Sequence, residues 1–306
     1  MIADIKTFQA GKKVMKQFFW RATLGLTMML LSAAGAWAES SVWVVKGARA
    51  TIYLAGSCHV LRASDHPLPV EFEKVYGNAR KIIFEAPPGD MEKPEYVQKL
   101  MAVAIYADGT TLKDHLTPAV YGKAQKFCKE HNYPFEQYQV FRPWMLSMML
   151  AMQEMQRIGV EANYGVDHYF HQKAIRDGKA VSGLETADEQ IGFLSLMDGS
   201  TGNEQVSETI DDLLQLNSKI ADILAAWRIG DEAGIEAFNL RELKNYPQLY
   251  STLIVDRNKK WVKKIEALIN AGENTMVIVG VAHLAGPDSV VNLLRKRGFK
   301  VVQLKR

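Results

Sequence analysis

The chain has 306 residues, 48% of them hydrophobic and 23% charged, with two cysteines and a formal charge of +3. That length and apolar content suffice for a large buried core, and two cysteines exclude a disulfide scaffold. The basicity is local: residues 1–38 hold five of the 37 Lys and Arg and one of the 34 Asp and Glu, so the other 268 residues carry 32 against 33 and no electrostatic footprint for nucleic acid.

Residues 1–38 follow the plan of an export signal. Lys12, Lys13, Lys16 and Arg21 precede the apolar run "ATLGLTMMLLSAAGA", and Ala36 and Ala38 stand at minus three and minus one of a cleavage site. Cleavage after Ala38 would place a mature chain starting at Glu39 in the periplasm or outside the cell, with membrane contact only through an uncleaved leader. Met15 opens a leader of more ordinary length, so Met1 and Met15 are both candidate starts. The apolar run is shorter than the ~20 residues of a spanning helix.

Residues 39–306 contain no Gly/Ser-rich or Pro-rich linker and read as one domain. "WVVKG" (43–47) is a hairpin partner for the buried strand "TIYLAG" (51–56). A helix over 70–80 leads into the strand "KIIFEAP" (81–87), and another follows over 94–107. Thr117 as N-cap and Pro118 at the first helical position open a helix over 117–131. "PWMLSMMLAMQEMQRIG" (143–159) is apolar almost all round and predicts a buried central helix whose methionines fill the core. "DHYFHQK" (167–173) predicts an amphipathic helix with His168 and His171 on its surface. The strand "AVSGLET" (180–186) runs into a helix through a capping box, Thr186 with Glu189. Long helices follow at about 205–230, 231–244 and 247–271, then the strand "TMVIVG" (275–280). A helix over 288–298 stops at Gly298, and "FKVVQL" (299–304) is a last strand. The strands are nearly continuous in hydrophobicity. The expected fold is therefore α/β: a mixed central sheet with flanking helices on both faces and a large helical insertion, whose stretch 91–179 is a candidate lid.

Two segments, "TIYLAGSCHVL" and "TMVIVGVAHLA", share a layout of threonine, apolar strand, glycine, two small residues, histidine and an aliphatic residue. Strands that end this way carry side chains to the carboxyl edge of a sheet, where open α/β folds place ligands. His59 and His283 meet there if the two strands are neighbours. The other two strands deliver Glu85 and Glu185. Glu85 directly follows "KIIF", at the margin of a core where an unpaired charge is costly and a partner is expected. Two imidazoles and two carboxylates suit a divalent cation, with His and Glu as ligands. The same groups also suit a Glu acting as general base on water, or a metal-free site with a histidine base. Cys58, next to His59, reads as a small strand-end residue rather than a nucleophile. Arg257, Asn258 and Trp261 share one helical face amid lysines, and spacing alone makes Arg257 an ordinary surface arginine.

At these residues the chain resembles the TraB/GumN family, also called PrgY-like or Tiki-like. The likeness runs in order through "YLAGSCHV", "IFEAPP", "TLKDHL", "RPWML", "GVDHYF", "GLETADEQ", "AAWRIGD", "DRNKKWVKKI" and "VIVGVAHLAGPDSVVNLLRKRGFKV". Each motif is short; their order is specific. The resemblance implies functional roles for His59, His283, Glu85, Arg257 and Asn258, with Arg257 binding a substrate carboxylate or steadying an oxyanion. The metal set is then His59, Glu85 and His283, holding a divalent ion (Mn, Co or Zn), and the catalytic set Glu85, Glu185, Arg257 and Asn258. Tiki-related members are regarded as metal-dependent proteases and others are linked to shutting down peptide pheromones, so the implied partner is a peptide or protein substrate. Cys58 departs from the aliphatic residue more usual in the family. The expected activity is that of an exported metal-dependent peptidase. Its rivals are a non-catalytic peptide-binding or signalling-inhibitor protein and a metal-free esterase-like hydrolase.

Overall fold

A computed structural model describes residues 39–196, 202–241 and 243–305; the expected export signal lies outside the described residues. Six strands, β1 (Glu39–Lys46), β2 (Thr51–Ser57), β3 (Lys81–Phe84), β4 (Ala180–Gly183), β5 (Thr275–Gly280) and β6 (Val301–Lys305), form one sheet in the order β4-β3-β5-β2-β1-β6. Neighbours among β4, β3, β5 and β2 are parallel, whereas β1 runs antiparallel to both β2 and β6. The fold is the expected α/β architecture with a mixed sheet, and the two strands with matched histidine motifs are adjacent.

Alternation along each strand splits the core in two, which is why the strands read as continuously apolar. On β5, Met276 and Ile278 join one buried cluster while Val277 and Val279 join the other. Ile82 and Phe84 of β3 likewise face one way and Ile83 the other. The first face is covered by α1 (Val70–Asn78), α5 (Val166–Arg176) and α8 (Leu216–Ile229), through Phe72, Phe170 and Trp227. The second is covered by α10 (Asp256–Ala271) and α11 (Val290–Lys296), through Trp261, Ile265 and Leu294. Burying an aliphatic side chain such as Leu54 or Val277 contributes about 1.5–3 kcal/mol each.

The remaining long helices, α2 (Pro94–Ala104), α3 (Pro118–Glu130), α4 (Pro143–Arg157), α6 (Ala187–Ser195), α7 (Gly202–Leu214) and α9 (Glu232–Asn239), lie in the β3–β4 and β4–β5 connections. Two expectations need correcting. The helix expected over 205–230 is two, α7 and α8, interrupted at Gln215, which does not continue the helical geometry (φ −105°, ψ 0°). Residues 143–159 are not buried all round: Trp144, Leu146, Leu150 and Glu154 are packed away, but Met152 is 58% exposed. Helix α7 packs against α4. Among the described residues no helix is long and apolar enough to cross a membrane.

Candidate active site

The four parallel strands each release a polar side chain at their carboxyl ends. In sheet order these are Glu185 after β4, Glu85 after β3, His283 after β5 and His59 after β2. Pairing of β3 with β4 continues past the strands, Glu185 N–H donating to the Glu85 carbonyl at 2.7 Å, which sets the two acids side by side. Glu85 Oε1 accepts the Gly280 amide at 2.7 Å. A β-carbon on Gly280 would stand 3.2 Å from both Glu85 Oε1 and His59 Nε2 and 3.7 Å from the His283 ring. The glycine is therefore what lets three functional groups from three strands approach one point.

The two histidines, alike in motif, sit in different surroundings. His59 is the outer one, its side chain 62% exposed. Its Nδ1–H donates to Asp167 Oδ2 at 2.8 Å, and Ser57 Oγ donates to the same oxygen. Asp167 reaches it because the start of α5 is docked on the β2 exit: Val166 N–H donates to the Cys58 carbonyl at 3.1 Å. The Asp167 carboxylate outweighs partial desolvation and pushes His59 up to about 9, so His59 is protonated at neutral pH. His283 follows β5 through a single turn, Val281–His283, and is buried. The Asn258 side-chain N–H donates to the Asp288 carbonyl at 2.8 Å, leaving Asn258 Oδ1 to accept from His283 Nδ1 at 2.7 Å. His283 Nε2 therefore carries the lone pair, and burial holds this histidine down to about 4 and neutral.

Arg257 ties the acids together. Its Nε donates to Glu185 at 3.0 Å, its Nη2 to Glu185 Oε2 at 2.9 Å and to Glu85 Oε2, and its Nη1 lies 3.2 Å from His283 Nε2. The guanidinium stacks 4.7 Å from the Trp261 ring and 5.2 Å from that of Phe193, and Trp261 Nε1–H donates to Glu185 Oε1 at 2.9 Å. Burial works against the charge of Arg257, but Glu85 and Glu185 together raise its pKa. Desolvation likewise opposes ionisation of Glu85, yet His283, Arg257, His59 and the Gly280 amide prevail and hold it near 2. The surface arginine expected from spacing is thus 9% exposed. The lysines around it are exposed, but its own turn of α10 faces the sheet edge, where two carboxylates needed a cation.

A pocket of about 450 Å³ opens onto this edge, lined by Phe84, Met91, Asp167 and His168 together with His59 and Glu85. Glu92 and Gln190 also line it. Arg257, Glu185 and His283 do not; they form a buried layer in contact with Glu85. The donor types fit a divalent cation: neutral His283 offers Nε2, Glu85 is ionised, and each imidazole is oriented by a hydrogen-bond partner on Nδ1, as metal-bound histidines are. Two features stand against immediate binding. Arg257 already serves His283 Nε2, which lies 4.0 Å from Glu85 Oε1, and His59 must lose its proton. Among the described residues, no three His, Cys, Asp or Glu side chains form a ready cation site.

Sequence reasoning missed Asp167. It lies in the "DHYFHQK" stretch that drew attention to its histidines, and only the docking of α5 on β2 pairs it with His59. The expectation that both histidines of that helix are surface groups is corrected: His171 is buried edge-on to Phe84, and His168 forms part of the pocket wall. His171 shares the buried side of α5 with Phe170, whereas His168 is half-buried at the pocket. The two cysteines are unpaired, and burial pushes Cys58 up to about 12, which leaves it a protonated thiol.

The chain is 24% identical over 246 residues to the uncharacterized protein YbaP of Escherichia coli strain K12, covering 79% of this chain and 87% of YbaP. It is 22% identical over 320 residues to metalloprotease TIKI2 of Danio rerio, covering 86% of this chain and 60% of TIKI2. It is also 20% identical over 323 residues to a metalloprotease TIKI homolog of Nematostella vectensis, covering 87% and 67%. No solved structure matches. The family model of the TraB/PrgY/gumN family matches residues 41–303, from the first strand through the last and across all four histidine- and acid-bearing strand ends, and the chain belongs to that family.

Proposed function

We propose that the protein is a metal-dependent hydrolase of peptides, with His59, Glu85 and His283 as the cation-holding set. The observation that carries this reading is the convergence of His59 Nε2, Glu85 Oε1 and the His283 ring over Gly280, two of them lining a pocket. Two relatives named metalloproteases support it. When bound, a divalent cation supplies Lewis acidity toward a carbonyl oxygen and toward water. The chain's own part is positional. Asp167 and Asn258 fix the two imidazoles, burial keeps His283 neutral and able to donate its lone pair, and Glu85 is ionised at any working pH. Arg257, held by Glu185 and Trp261, offsets the negative charge of Glu85. Phe84, Ala86 and Met91 give the pocket an apolar lining that accepts a substrate side chain.

The test is metal analysis of the purified protein combined with peptide hydrolysis in wild type, His59→Ala and His283→Ala. Chelator should abolish activity, a divalent ion should restore it, and both variants should lose metal and activity together. Unchanged metal content and turnover in the two variants would remove the proposal. The His59–Asp167 pair favours a second reading, a metal-free hydrolase in which His59 is the general base. Its signature is activity that chelator leaves intact and that climbs as the pH rises toward 9.

A further inference from the structure

A second hollow, of about 370 Å³, lies beside the first and has no part in the site described above. Met149, Met152 and Met155 of α4 form one side of it and Val60, Val160 and Ala162 the other. Ala162 lines both hollows, and the consecutive residues His59 and Val60 line the first and the second respectively. The two are therefore separated by a single shared wall. That wall is braced: Leu61 and Glu161 exchange both backbone hydrogen bonds, at 3.1 Å and 2.8 Å.

We infer that the methionine-lined hollow is a second subsite for the same substrate and takes an apolar side chain from a part of the peptide remote from the reacting bond. This inference rests on the peptide-hydrolase reading of the first pocket. An extended peptide rises about 3.3 Å per residue and turns successive side chains to opposite sides. Laid across Ala162, it can lower one side chain beside His59 and a later one among the methionines. Continuity with the first pocket favours the substrate itself over any separate partner. The lining chemistry fits a peptide too. Gln156 and Asn163 offer amides to a peptide backbone, while the methionines offer a soft floor that adapts to aliphatic and aromatic side chains alike. The hollow is lined by Glu161 but by no lysine or arginine, so an acidic side chain has no counter-ion there.

The experiment uses the full folded protein and dye-labelled peptides read by fluorescence anisotropy, with hydrolysis followed in parallel. A short peptide fills the first pocket only. Longer versions, extended at either end, carry Leu or Asp at successive remote positions. Wild type should bind one Leu-extended peptide at least ~10-fold more tightly than its Asp counterpart. Met152→Asp, a change at an exposed position, should erase that preference and leave binding and cleavage of the short peptide unchanged. Circular dichroism confirms that the variant is folded, and Met152→Leu should retain the preference. Equal binding of Leu and Asp peptides in every series, or loss of short and long peptides alike in a folded Met152→Asp protein, overturns the inference. Absence of turnover with a Leu preference that Met152→Asp erases sinks the hydrolase reading and leaves the subsite standing.

Discussion

Asp167 and Asn258 do the same mechanical job for His59 and His283, accepting at Nδ1 and turning Nε2 toward Glu85, yet they set opposite charge states. A carboxylate partner raises His59 to about 9, whereas a neutral amide partner in a buried setting leaves His283 near 4. At pH 7 the site therefore holds one imidazolium and one imidazole. Any role that needs the Nε2 lone pair of His59 must expel its proton, so cation binding should release a proton and strengthen as pH rises toward 9. Asp167→Asn removes the charge that raises His59. The expected result in an NMR titration of the His59 ring is a midpoint falling from about 9 toward the ordinary value of about 6.5. An unmoved midpoint would mean that Asp167 does not set the charge of His59.

At the scale of elements, the site is a junction between four strand ends and α10. The Arg257 face of that helix is docked by polar contacts: Glu185 receives Arg257 and Trp261, and Lys264 Nζ donates to the Leu184 carbonyl. A π-helical turn, Ser251–Val255, leads into α10 and supplies the Leu253 carbonyl, 3.3 Å from Arg257 Nη1. Glu185 is buried and does not line the pocket that holds His59 and Glu85, so its contribution is to hold Arg257. Glu185→Gln keeps the shape and removes the charge, leaving a buried guanidinium with Glu85 as its one carboxylate. Loss of one partner from a buried ion cluster costs about 3–5 kcal/mol when the remaining charge is uncompensated, and less here because Glu85 remains. Denaturant unfolding of Glu185→Gln should show a loss on the order of 1–3 kcal/mol. A change within ~0.5 kcal/mol would show that the helix docks without this pair.

For the whole molecule, the same buried groups predict how stability varies with pH. The unfolded chain binds a proton at His283 near 6.5 and the folded chain only near 4, so between those values the unfolded state holds more protons and stability rises with pH. Glu85 acts in the same direction between its ordinary 4.5 and about 2. Stabilisation from His283 is complete above pH 6.5 and falls away as pH drops toward 4; that from Glu85 persists to lower pH and is lost approaching 2. His59 runs the other way: its pairing with Asp167 stabilises below about 6.5 and is lost as pH rises through 9. It is largely exposed, so its share is small. Thermal unfolding should therefore show a plateau near neutral pH and a marked fall in Tm between pH 6.5 and 4. His283→Gln should flatten that fall, and an equally steep fall in the variant would assign acid sensitivity to other groups.

The strand cores, their matched endings and the acids after "KIIF" and "SGL" were legible in the sequence, because apolar runs bounded by turn residues report local structure directly. So was the capping box of Thr186 and Glu189, which the structure forms with bonds of 2.9 and 3.1 Å. The family likeness added Arg257, which spacing alone had left on the surface. Other features required the folded chain. Asp167 lies 108 residues from His59, and no periodicity links them. The unequal protonation of two histidines in matched frames comes from neighbours contributed by α5 and α10. The half-exposed α4 and its methionines became a hollow only once the 160–162 segment was braced against Leu61. Local sequence determined which residues form strands and what chemistry each strand end carries, because hydrophobicity and turn propensity act over a few neighbours. Tertiary structure alone decided which of those groups meet, which are buried and which hold a proton, because burial and charge pairing depend on residues that only the fold brings together.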